Sequence, residues 1–253
     1  MDNLPALVYN RLKDLPPVKV YEAEYKRPDK NAQPTRPFTV GEEPDLISMH
    51  PSIWSAVYRK GFLDEKSIRF PEYPGAGWAD NPFLIETMCQ AKAIVYLDNA
   101  YYNYRCDLKD STLHHKTVEA VVRPFDRWED MLAIIERLGI TDKRILRAHC
   151  KRGINYSFGA IHDDGWDNPH VRERVTKCFH EMDPELVLSL DDIAPHRKKF
   201  YCDVMGLPKP KINYPAWWAH LIKMTGSTLK NEGPAKVLKR VGRVFNPTEP
   251  KQA

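Results

Sequence analysis

Hydrophobic positions change their period along this chain. Leu4, Leu7, Val8, Leu12 and Leu15 recur at helical spacing, and the run stops at Pro16-Pro17. That pattern predicts a helix over 4–15. Val18 to Tyr25 alternates and reads as a half-buried strand. Pro, Asn, Gln and Thr then collect between Lys26 and Pro44, which predicts a loop. Ile53 to Lys60 reads as a short helix with Trp54, Val57 and Tyr58 on one face. Asn81-Pro82 suits a helix start, since proline at the first turn loses no hydrogen bond. That helix runs to about Ala91, with Phe83, Ile85, Met88 and Cys89 as core candidates, and Ala93 to Leu97 comes next as an apolar strand.

Beyond Arg105 the helical period dominates. Trp128, Met131, Leu132, Ile135 and Leu138 form one stripe of a helix from Asp126 to Leu138, with Gly139 as its stop. Further helices are expected over 145–158 and 171–182, and a short one from Asp183-Pro184 to about Leu190. His162-Asp-Asp-Gly-Trp-Asp167 lacks the spacing of a calcium loop and reads as a turn between helices. The expected fold class is therefore α/β: a mixed-sheet region over 1–110, a mainly helical extension over 111–212, and a basic, aromatic tail over 213–253.

Composition adds limits. The 253 residues are 42% hydrophobic and 11% aromatic, enough for a core. The 21 prolines against 12 glycines point to much loop and extended chain. A net charge of +4 is too mild to argue for nucleic acid. Five scattered cysteines without a C-x-x-C pair read as reduced thiols. The start of the chain has no basic-then-apolar leader, and no window approaches a membrane span. The expected location is the cytoplasm, with peripheral docking at the inner membrane face through Trp217, Trp218 and the basic tail. Paired tryptophans beside cations suit a membrane interface, and a net four charges give about 4 kcal/mol. Packing of that segment on its own domain is the alternative.

Three segments carry a resemblance. They are His50 to Leu63, containing Trp54 and Tyr58-Arg59; the loop Gly77-Trp-Ala-Asp-Asn-Pro-Phe83; and Ala91 to Arg105, ending Tyr102-Asn-Tyr-Arg105. In this order and spacing they resemble the acceptor half of bacterial family 2 (GT-A type) glycosyltransferases, over about Pro44 to Ser111 and more weakly to about Tyr156. The resemblance implies a partial GT-A-like sheet, a nucleotide-sugar donor, Mg²⁺ or Mn²⁺, and a surface-polysaccharide or lipid-linked glycan acceptor. The family's catalytic acid maps onto Asp80; Ala79 stands where many relatives carry Glu. A carboxylate in reach of the acceptor hydroxyl serves as general base. Its other reading is a helix cap. The two roles can coexist.

Trp78 is either a sugar platform or a loop anchor. His50, Trp54 and Asn81 are candidate acceptor-site residues, with core packing the alternative for Trp54. Arg105 suits a donor diphosphate, because a guanidinium grips phosphate oxygens in pairs; pairing with Asp98 or Asp107 is its other reading. His114 and His115 are candidate metal ligands, of which at most one would ligate, since neighbours point to different sides.

The Asp-x-Asp element that holds the donor's metal in such enzymes is missing. Leu4 to Tyr25 resembles the helix and strand that come directly after that element in the family, so the chain is expected to begin where the donor half ends. It then represents a fragment, a half-enzyme served by a donor-binding partner chain, or a non-catalytic glycan- or partner-binding module. A partial sheet with an open edge also predicts self-association.

Overall fold

The structure, a computed structural model, describes residues 36–49, 51, 53, 56–74, 77–95, 118–234 and 237. Among them are a 3₁₀ turn, Pro44–Ser48, and eight α-helices. The helices are α1 (Lys60–Glu65), α2 (Asp80–Gln90), α3 (Val118–Arg137), α4 (Lys143–Asp164), α5 (Pro169–His180), α6 (Pro184–Leu188), α7 (Pro195–Met205) and α8 (Tyr214–Glu232).

The expected α/β class is overturned. The described part is 66% helix and 1% strand, with no sheet. The strand expected from Ala93 is reduced, among described residues, to one antiparallel bridge between Phe38 and Ile94, made by hydrogen bonds of 3.0 and 2.7 Å. On the Thr39 side the ladder ends in a turn. The chain turns there, as the Glu42 and Glu43 N–H groups donate to Thr39 O, which takes residue 40 out of reach of a partner. The open sheet edge behind the expected self-association has no counterpart among the described residues. The strand at 18–25 and the helix at 4–15 lie outside them.

The helix expected over 53–60 is also displaced. Residues 56–59 belong to no helix and alternate between half-buried and exposed, Arg59 has an extended backbone, and the described helix begins at Lys60. Tyr58 turns inward to meet the Phe83 ring at 5.1 Å, while Val57 is 75% exposed. A helix would have placed both on one face.

Two adjoining cores hold the helices. The larger joins α3, α4, α5, α6 and α7 around Phe125, Trp128, Ile154, Val175, Phe179 and Tyr201. The smaller joins the 3₁₀ turn, α2, α3 and the start of α4 around Ile47, Ile85, Met131, Ile135 and Ile145. Helix α3 serves both, because its stripe winds around the axis over its 20 residues. Helix starts follow capping chemistry: Asp142, Asn168 and Asp183 each accept an N–H from the first turn. Gly139 ends the α3 region at φ 64°, a conformation glycine reaches without strain.

The α3–α4 crossing depends on Gly153. A methyl there would press on Met182 Cε and come 2.7 Å from Trp128 Nε1. Met182 can swing aside; the buried Trp128 indole cannot, since its N–H donates to His149 O at 3.1 Å. Gly153→Ala is expected to cost about 2 kcal/mol by overpacking, read from the urea midpoint. A change under about 0.5 kcal/mol would show the crossing to be loose.

Candidate functional site

The Gly77-Trp-Ala-Asp-Asn81 turn is fastened at several points. Before it, Tyr73 donates its hydroxyl to Asp130 of α3 at 2.8 Å, and the Arg127 guanidinium lies 3.4 Å from the Tyr73 ring centre. Burial first, then Asp130, pushes the Tyr73 phenol up to about 12, so it stays a donor. Gly77 has φ 34°, and a Cβ there would stand 2.8 Å from Tyr73 Cβ; no other residue fits.

Trp78 is next, at φ 62°. A bulky residue in that region is a backbone outlier, costing on the order of 1–3 kcal/mol, and such outliers gather at functional sites. Its half-buried ring lies 5.9 Å from that of Tyr156, tilted by 59°. Asp80 opens α2 and is half-buried. A carboxylate in the first turn is favoured by the positive end of the helix dipole.

Asn81, buried, links the turn to the body of the protein. Its amide nitrogen donates to Trp78 O at 3.2 Å and to Asp80 Oδ1 at 3.3 Å. Its Oδ1 accepts from Arg152 Nη1 at 2.6 Å and from the Tyr156 hydroxyl at 2.5 Å. Arg152, only 2% exposed, also donates through Nε to Ile47 O at 2.7 Å and through Nη2 to Met49 O. One guanidinium on α4 therefore fixes the 3₁₀ turn and the start of α2 together. Planar, multiply donating arginine is the side chain suited to this.

Two phenols feel the Asp80 charge. Tyr156 is raised by burial, lowered by Arg152 and raised by Asp80. Tyr58 is raised by burial, lowered by a hydrogen bond with Thr87 and raised by Asp80. Tyr58 and the 42%-exposed Phe70 both meet Phe83, each at 5.1 Å between centroids. Asp80 thus stands among aromatic side chains, a setting in which rings cover apolar C–H surface and a carboxylate takes hydroxyl hydrogens.

Of the expected site residues, Trp78, Asp80 and Asn81 share one turn. His50, Trp54, Arg105, His114 and His115 lie outside the described residues. Arg152 and Tyr156 belong to no motif that marks them, and Tyr58, though part of the Tyr58-Arg59 segment of the resemblance, is not among the expected site residues. Arg152 carries a signal all the same: it falls on the helical stripe of Ile145, Ala148, His149 and Tyr156, where a charge is out of place unless it is paired. Among the described residues no group of three or more His, Cys, Asp or Glu side chains is placed to hold a metal ion. The His162–Asp167 segment is partly the end of α4 and partly the turn before α5.

No family model, no curated protein and no solved structure matches this chain.

Proposed function

We propose that this chain supplies the acceptor side of a glycosyl-transfer site, with Asp80 as general base. The observation that carries the reading is an aromatic residue, Trp78, held at positive φ two positions before a helix-opening carboxylate, Asp80. The motif order of the resemblance supports the same residues. Trp78 covers the C–H face of the acceptor sugar, and Asp80 accepts its hydroxyl hydrogen. As that oxygen attacks the anomeric carbon of the nucleotide-sugar, the new C–O bond forms and the bond to the diphosphate breaks. The diphosphate leaves with the electron pair, and the proton passes to the Asp80 carboxylate. Asn81, gripped by Arg152 and Tyr156, keeps that carboxylate in place.

The test is transfer of labelled sugar from nucleotide-sugars to oligosaccharide acceptors by the full chain. Asp80→Asn, with unchanged thermal unfolding, is expected to lower transfer at least about a hundredfold, as loss of a general base does. Glycan binding without transfer, equal in both proteins, would overturn the enzymatic reading in favour of a non-catalytic glycan-binding module. Transfer unaffected by Asp80→Asn would remove the base assignment.

A further inference from the structure

Helix α8 (Tyr214–Glu232) has two unlike faces. Trp217, His220, Leu221 and Met224 are half-buried, and the Trp217 ring stacks on His220 at 5.7 Å. Beside them on the helix runs an apolar row open to solvent. Tyr214 is 47% exposed, Trp218 48%, Ile222 71% and Leu229 54%. At about 100° per residue these four fall within an arc of about 80°. They form a stripe along the helix, interrupted by the half-buried Thr225 between Ile222 and Leu229.

Such a stripe on a folded protein calls for an occupant, and charge identifies it. Lys209, Lys211 and Lys223 are all exposed on or just before α8. From residue 209 to 243 the sequence holds eight Lys or Arg against one acid, Glu232. An apolar stripe flanked by cations, with tyrosine and tryptophan among its residues, matches an anionic bilayer surface: rings and aliphatic chains enter the interface, and ammonium groups meet phosphate. A protein partner would need an acidic rim around an apolar groove; a second copy would set cation against cation.

We infer that α8 docks this protein on anionic phospholipid through Tyr214, Trp218, Ile222 and Leu229, with Lys209, Lys211 and Lys223 drawing it to the surface. Trp218 is the outward anchor; Trp217 turns back to His220. The helix lies in the interface, because among the described residues no helix is long and apolar enough to cross a membrane.

The test is co-sedimentation of the full chain with two kinds of vesicle: phosphatidylcholine alone, and equal parts of phosphatidylcholine and phosphatidylglycerol. Binding to the anionic vesicles only, weakened by salt, is expected. Trp218→Ala with Ile222→Ser, both at exposed positions, is expected to weaken it at least about tenfold without altering thermal unfolding. Lys223→Glu is expected to weaken it less. Absence of binding to anionic vesicles overturns the proposal, as does binding that ignores the Trp218 and Ile222 substitutions. If those substitutions instead dissolve a dimer seen by light scattering, the face belongs to a second copy and the lipid assignment falls.

Discussion

Arg152→Ala is expected to lower the unfolding free energy by about 4 kcal/mol, among the largest losses a single side chain gives. The residue is 2% exposed and donates to Ile47 O, Met49 O, Asn81 Oδ1 and the Tyr156 hydroxyl. Alanine leaves the two backbone carbonyls without this donor and opens a void where the side chain stood. Each buried acceptor left unpaired costs about 1–3 kcal/mol, and the Tyr156 hydroxyl still serves Asn81. The melting temperature should drop by about 10 °C, taking about 2–4 °C per kcal/mol for a protein of this size. Arg152→Lys keeps the charge but cannot span the same acceptors, so it should recover only part of the loss. Denaturant titration of the three proteins decides the matter. A loss under about 1 kcal/mol in Arg152→Ala would mean that the network carries little of the stability.

The second large effect is a dependence on acid. His149 is buried, stacks on Trp128 at 4.5 Å, and neither of its ring nitrogens finds a partner among the described residues. Burial, with the nearby Arg152 charge adding to it, holds the imidazole down to about 3 from its ordinary 6.5. Above pH 6.5 the ring is neutral in both states and contributes no pH dependence. Below it the unfolded chain takes up a proton that the folded protein refuses until about pH 3. Stability therefore falls as pH falls through that window, by about 1.4 kcal/mol per unit. His149→Leu should flatten the profile between pH 6 and 4.5 by about that slope, measured as unfolding free energy at several pH values. Parallel profiles for the two proteins would show that another group sets the acid response.

What the sequence discloses divides along a physical line. Helix α3 is legible because its stripe is read within one segment: Trp128, Met131 and Ile135 are buried, and Gly139 marks the stop. Asp183-Pro184 likewise announces α6 by local capping. Helix α7 is hidden, although Pro195 at its start and Gly206 at φ 65° beyond its end frame it; its apolar residues do not keep to one face. The strand expected from Ala93 shows a single bridge among the described residues, because apolar runs this short do not reveal whether a partner can pair with them. Here the Phe38 partner is followed at once by a turn. In the site, Trp78, Asp80 and Asn81 are legible from one short motif. Their supports are not, since Arg152 and Tyr156 lie 71 and 75 residues further on, and no local pattern says which turn a distant helix will grip.

That distance has a consequence for how the protein is made. The ribosome delivers Ile47, Met49 and Asn81 well before the arginine that holds all three, 71 to 105 residues later. Until α4 has emerged, the Trp78 turn lacks its clamp, and closing such long loops is slow relative to winding a helix. The Trp78 turn is thus synthesised early and completed late. A nascent chain stalled before residue 152 would display the loop without the geometry.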